Sequence, residues 1–318
     1  MLSRVADSLY WMSRYLERAE HTARVTDVHL NLMLDQGQYS GSDLQNLLVA
    51  GLNARLPEDM KTDDPNALAR YLTFGADNSN SIVNCIFSAR ENARQIREQI
   101  STDMYEQLNR LYLKVRAPDI QQQWAEQPHE FYVEVKEAMH LISGVTDETF
   151  AHGEAYLFIR VGKSLERAGS TTNILKVHAP SLVTGASSES SYLEWVGLLR
   201  GCTAFEAYCR EYTADLRPKR IVEFLLLDEE TPRSVRFCAD RIEESLEGIA
   251  TLTGRRKDTR LLRAAGKLRS TLNYASVEEI MTGDLTEFLS DVRAQCGQIH
   301  GALFGTYIGY TIETAMVA

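Results

Sequence analysis

The chain has 318 residues, 44% of them hydrophobic and 25% charged, with only 7 prolines. That apolar content, with no long low-complexity tract, excludes disorder, and the length predicts about two domains. A balance of 34 basic against 44 acidic residues, net charge −10, excludes the basic footprint of a DNA- or RNA-binding protein.

Taken in order, the elements read as helices. Val5, Leu9, Met12, Leu16, Ala19 and Ala23 recur at three- and four-residue spacing, the stripe of one helix face. Further helices are predicted at about 42–53, then from an N-cap at Asn80 or Ser81 through Ile82, Ile86, Ala89, Ala93, Ile96 and Ile100. Others follow at 103–115, 130–142, 154–177, 191–213, 218–227, from Thr231-Pro232 onward, and at 258–273 and 285–300. Breaks are expected at 35–41, 56–66, 75–80, 116–128, 179–190 and 252–257. Alternating strands bounded by hairpin turns are not found, so the expected class is all-α.

Five cysteines (Cys85, Cys202, Cys209, Cys238, Cys296), odd in number and without a CxxC, read as reduced and mostly buried thiols. The N-terminus lacks the apolar core of a signal peptide, and no apolar run reaches membrane length; residues 294–312 come nearest but hold Gln295, Gln298, His300 and four glycines. A cytoplasmic protein without a membrane span is expected.

The chain also resembles itself. Residues 13–29 (SRYLERAEHTARVTDVH) and 162–178 (GKSLERAGSTTNILKVH) share seven of 17 positions at an offset of 149. Residues 70–85 (RYLTFGADNSNSIVNC) parallel 223–238 (EFLLLDEETPRSVRFC) at an offset of 153. A period near 150 exceeds the repeat of a solenoid, which runs about 20–50 residues. Two related halves, 1–150 and 151–318, packed about a pseudo-two-fold axis are therefore expected.

On a helical wheel Ser13, Glu17, Glu20 and Arg24 share a sector beside the apolar stripe, with Glu17–His21 and Glu20–Arg24 spaced for helix-face pairs. This is either a salt-bridged edge or a half-buried Glu/Arg cluster that binds a polar ligand. The later copy keeps Glu166 and Arg167 but has Gly169 and Asn173 in place of Glu20 and Arg24, which favours the first copy as a site. Arg90, Arg94 and Arg97, with Asn92 beside them, form a second cationic sector, and Arg233 and Arg236 fall where a helix begins. Either group suits a carboxylate or phosphate, or else pairs with nearby acids.

Metal ligation finds one helical Glu-x-x-His, Glu137 to His140, where a di-iron bundle needs two. No metal or cofactor is expected, and the GxxxxGK[ST], GxGxxG, GxSxG and HExxH motifs are missing. Gly297, Gly301, Gly305 and Gly309 recur every fourth residue, which implies no helix, a close helix crossing, or a surface for a second copy of the chain.

The blocks LSRVADSLYWMSRYLERAEHTARVTDV (2–28), SARENARQIREQIS (88–101), SGVTDETF (143–150) and TPRSVRFC (231–238) resemble the bacterial Alpha-E domain family across nearly the whole chain. The resemblance implies an all-helical protein associated with a circularly permuted ATP-grasp ligase and a transglutaminase-like protein. Read from the residues themselves, the candidate ligand contacts are Ser13, Arg18, Arg24, Arg90, Asn92, Arg94, Glu166, Arg167, Arg233 and Arg236. The first functional reading is thus a helical partner of an ATP-grasp amide ligase that does not itself bind nucleotide, holding a peptide, an anion or the ligase. A second makes Glu17 or Glu20 a general base whose pKa burial raises, with Arg24, Arg90 and Arg94 orienting a carboxylate. A third is a homodimer built on the glycine stripe.

Overall fold

The apolar stripe that begins at Val5 continues past Ala23, and the first helix, α1, spans Ser3–Asp35. The computed structural model describes residues 1–35, 41–58, 60, 64–185, 189–254 and 259–309. The expected breaks at 35–41, 56–66, 179–190 and 252–257 lie partly outside them, as does the end of 294–312. After α1 come α2 (Gly41–Gly51), α3 (Pro65–Phe74), α4 (Ile82–Gln95), α5 (Thr102–Val115), α6 (Ile120–Glu126) and α7 (Pro128–Thr149). The second half holds α8 (Glu154–Thr184), α9 (Glu189–Gly201), α10 (Phe205–Tyr212) and α11 (Pro218–Leu227). It closes with α12 (Val235–Leu252), α13 (Thr259–Asn273), α14 (Val277–Thr282) and α15 (Leu285–Leu303), followed by one π-helical turn at Phe304–Ile308. No strand occurs among the described residues, and none of their helices is long and apolar enough to cross a membrane.

Capping sets several boundaries. Asp64 accepts from Asn66 N ahead of Pro65, and Ser81 and Ser101 cap α4 and α5. Thr231-Pro232 does not begin α12: Ser234 is its N-cap, accepting from Phe237 N at 3.0 Å, so the helix starts three residues later than the hydroxyl–proline pair suggested. The predicted helix 191–213 divides into α9 and α10 around Thr203, whose φ of 53° turns the chain. Helix α8 runs through Pro180 instead of stopping there, because Ala179 and Leu182 on either side are buried. Within the expected break 116–128, buried Ile120 and Trp124 pin α6 to the core.

Helices α1 and α8 form the spine and pack along one another. Helix α4 lies on α1 and α12 lies on α8, while α7 and α15 flank the pair. One continuous core draws on both halves of the chain. The spine helices approach closely at Gly162, where an added Cβ would collide with Ser13 Oγ and come within 2.5 Å of the Tyr10 carbonyl oxygen. Ser13 and Gly162 are separated by the 149-residue offset of the repeat.

The C-terminal glycines do something different from what their spacing suggested. A Cβ at Gly297, Gly301 or Gly305 would meet no atom within 4 Å, so no close crossing forms on that stripe among the described residues. Gly297 and Gly301 are nevertheless helical within α15. All five cysteines are free, and four are buried.

Candidate functional site

Each spine helix presents a Glu-Arg dipeptide to the other. Arg167 of α8 donates through Nε and Nη2 to the two carboxylate oxygens of Glu17 at 2.8 and 2.9 Å. Arg18 of α1 donates through Nε and Nη2 to those of Glu166 at 2.7 and 3.2 Å. The two pairs are reciprocal, since Glu17 and Glu166, and Arg18 and Arg167, stand 149 residues apart. Planar guanidinium and carboxylate groups meeting edge to edge also fix the relative height and rotation of the helices.

Around this crossing the two sides diverge. Glu17 accepts a further bond from Arg233 Nη1 at 2.9 Å, and Arg233 Nη2 donates to Glu20 at 2.7 Å. Arg24 Nη2 also donates to Glu20, and His140 Nε2 lies 3.4 Å from the same carboxylate. The turn before α12 presents Arg233 rigidly: Ser234 N donates to the Thr231 carbonyl, and Thr171 Oγ1 donates to the Arg233 carbonyl. On the other side Glu166 receives Arg14 Nε at 2.7 Å, while Arg18 Nη1 donates to Asn80 Oδ1. Asn80 is the offset counterpart of Arg233.

Burial alone would raise the Glu17 carboxyl, the direction expected from the sequence, but Arg167 and Arg233 outweigh it and hold Glu17 below the ordinary range. Glu20 is treated in the same way: burial opposes its ionisation, yet Arg233, His140 and Arg24 hold it well below. Glu166 is likewise lowered against its burial by Arg14 and Arg18. All three are therefore carboxylates at neutral pH. His21 pairs with neither glutamate; burial, aided by Arg233, lowers it to about 4, and its Nε2 is buried with no partner among the described residues.

Beside Glu17 and Glu20 opens a cavity of about 460 Å³. Arg24, Arg160, Lys163, Arg167, Arg233 and Arg241 bring six cationic side chains to it, against the carboxylates of Glu17, Glu20 and Asp147. Met12, Leu16, Met104, Met139, Ile142, Ile159 and Phe237 make an apolar wall. Lys163 is distinctive among the cations. It has no carboxylate partner among the described residues, and its Nζ donates to Ser143 Oγ at 2.6 Å. Burial is the main cause lowering its pKa, reinforced by the neighbouring Arg167.

A second cavity of about 310 Å³ uses other faces of the same helices, with Arg14, Arg18, His21, Glu166, Gly169, Asn173, Arg293 and His300 among its walls. Gly169 and Asn173 stand there where the first cavity has Glu20 and Arg24. Asn173 Nδ2 donates to the carbonyls of Ala50 and Gly51, at the end of α2.

Of the residues singled out in the sequence, Ser13, Glu17, Glu20, Arg24, Arg167 and Arg233 come together at the larger cavity, and Arg18 and Glu166 at the smaller. Arg90, Asn92, Arg94 and Arg236 line neither. Arg90 and Arg94 both pair with Glu91, Asn92 donates to the Ser88 carbonyl, and Arg236 bonds Asn273 and pairs with Glu229. The expected sharing of one pocket by Glu20 and Arg94 is not found, because α4 turns its arginines towards Glu91 and α5. Ser143, Arg160, Lys163 and Arg241 were missed; only His140 carried a sequence signal, its helical spacing from Glu137. Among the described residues no three His, Cys, Asp or Glu side chains converge as metal ligands would.

An all-helical bundle whose two longest helices are clasped by crossed Glu–Arg pairs defines the class. The chain belongs to the Alpha-E family, described as a predicted alpha-helical domain with a conserved ER motif, which matches residues 1–308. It is similar to uncharacterised proteins of Mycobacterium bovis and of two strains of Mycobacterium tuberculosis, each 24% identical over 328 aligned residues. The alignments cover 96% of this chain but 37% of each relative, so the chain spans little more than a third of their length. No solved structure matches it.

Proposed function

We propose that the larger cavity holds the anionic end of a peptide-like ligand, and that the chain acts as the ligand-holding partner of an amide-forming ligase of the ATP-grasp type. The observation that carries the first part is the inversion of charge. In a chain of net charge −10, this cavity gathers six cations against three carboxylates. One of the cations, Lys163, is left without an acidic partner among the described residues. A ligand carboxylate would meet the surplus of guanidinium groups in a partly desolvated setting, while the methionine and isoleucine wall would take an apolar side chain.

The ligase partner rests on the family resemblance. Relatives in which the matched region forms about a third of a longer polypeptide support a module that works beside other protein. Glu17 and Glu20 enter this reading as fixed charges that aim Arg167, Arg233 and Arg24, since carboxylates held ionised by guanidinium groups are weak proton acceptors.

Titration with N-acetyl-Leu-Glu, followed by methyl NMR, tests the ligand reading. Saturable shifts are expected at Met139 and Ile142, lost in Arg160→Met and weakened by salt. Shifts that ignore the Arg160 substitution, or that are confined to other surfaces, would overturn it.

A further inference from the structure

We propose that Ser143 and Lys163 form a nucleophile–base pair in the larger cavity, giving the protein an acyl-transfer activity on amides or esters that carry a carboxylate. The inference rests on that cavity being the ligand site.

Two features of the pair separate it from ordinary helix-surface polar contacts. The first concerns the hydroxyl proton. Mid-helix Ser and Thr side chains usually donate back to the carbonyl four residues earlier. Thr73, Thr146, Thr149, Thr172, Ser245 and Ser290 all do so here. Ser143 makes no such bond: its oxygen receives Lys163 Nζ at 2.6 Å, and its own proton has no acceptor among the described residues. The second concerns the amine. Among the described residues Lys163 has no carboxylate partner, so no direct ion pair holds its ammonium form. Burial first, then Arg167 and Arg233, favour the neutral amine, and Glu17 and Glu20 oppose them without reversing the shift. Serine activated by a neutral lysine is a known variant of the triad arrangement.

The surroundings supply the rest. Arg160 and Arg167 lie one turn to either side of Lys163 on α8 and line the cavity, so positive charge flanks the pair, although Arg160 also bonds Glu244 and Arg167 is forked to Glu17. Met139 and Ile142, next to Ser143 on α7, give the nucleophile an apolar flank.

The chemistry balances without any redox partner. Neutral Lys163 Nζ takes the Ser143 proton as Oγ bonds to the carbonyl carbon, and the carbonyl π pair moves onto oxygen. The pair returns, the C–N or C–O bond of the substrate breaks, and Lys163 delivers its proton to the leaving amine or alcohol. Water, or a second amine, then attacks the acyl-serine while Lys163 takes its proton. As the Oγ–C bond of that ester breaks, Lys163 returns the proton to Oγ, which restores Ser143 and the neutral amine and releases an acid or a new amide.

The test uses a fluorophosphonate probe, which reports a nucleophilic serine whatever the natural substrate. The full chain is labelled and examined by intact mass and peptide mapping, and each variant is checked by thermal melting. One adduct on Ser143 is expected, absent in Ser143→Ala. In Lys163→Arg, which keeps the charge and the hydrogen bond but cannot act as a base near neutrality, labelling is expected to slow by about 100-fold or more. Lys163→Gln provides the same comparison should arginine not fit. No adduct, an adduct elsewhere, or wild-type labelling in Lys163→Arg would overturn the assignment. Ser143→Ala should still bind N-acetyl-Leu-Glu. Binding without labelling would remove the acyl transfer and leave the ligand reading standing, whereas labelling without binding would do the reverse.

Discussion

The two sides of the spine show what a shared frame does and what it leaves open. Both carry a forked Glu–Arg pair at the same height, Glu17 with Arg167 and Glu166 with Arg18. On one side Glu20, Arg24 and Arg233 extend that pair into a buried network. On the other the offset positions hold Gly169, Asn173 and Asn80, and the cations that remain are Arg14, on Glu166, and Arg293, which donates to Asn173. What both sides share is the clasp between helices; what only one has is an elaborated site.

The sharpest way to break the comparison is to remove each carboxylate in turn. Glu17→Gln leaves Arg167 and Arg233 partly uncompensated, at about 3–5 kcal/mol in chemical denaturation. Glu166→Gln is expected to lose less, because Arg14 and Arg18 are 16% and 23% exposed and water can take over, whereas Arg233 is 8% exposed. Equal losses would contradict the asymmetry.

Acid probes a further difference, since His21 has Ser170 at its offset position. Folded His21 titrates at about 4 because it is buried, with Arg233 adding to the effect, while the unfolded chain titrates near 6.5. Between these values the unfolded state binds more protons, so stability falls as pH drops from 6.5 towards 4. For this one group the loss is on the order of 3 kcal/mol, and urea titrations across that range should show a shallower slope in His21→Asn. His29, lowered to about 4 by burial, adds a slope of the same sign.

At the crossing itself, Gly162→Ala places a methyl within 2.5 Å of the Tyr10 carbonyl oxygen, and the helices must separate. A loss of about 1–3 kcal/mol is expected. An unchanged melting temperature would mean that the close approach is not required. The smallest effect belongs to Arg94→Ala, whose 57% exposed side chain pairs with Glu91 away from either cavity. Stability should move by less than about 0.5 kcal/mol, and binding of N-acetyl-Leu-Glu should not change.

Much of this was legible in the sequence, for reasons that differ from residue to residue. The three- and four-residue apolar spacing announced every long helix, because burial of one face is periodic. Glu20–Arg24 was visible because a helix itself brings those residues together. The reciprocal clasp was not: Glu17 finds Arg167 at a separation of 150 residues, and within one helix the geometry offered only His21. Arg90 and Arg94 misled for a related reason. A shared sector says that side chains point the same way, not that the way leads to a cavity, and Glu91 lay within reach. Ser143 and Lys163 lay inside the quoted blocks 143–150 and 162–178, but nothing marked them as a pair, since a serine and a lysine twenty residues apart meet only when α7 and α8 fold back on one another.

The reciprocal clasp is the central claim, and a double-mutant cycle on Glu17→Gln and Arg167→Met tests it most directly. Coupling of at least about 1.5 kcal/mol in equilibrium denaturation is predicted for side chains joined by two hydrogen bonds across the spine. Losses that simply add, within about 0.5 kcal/mol, would contradict it.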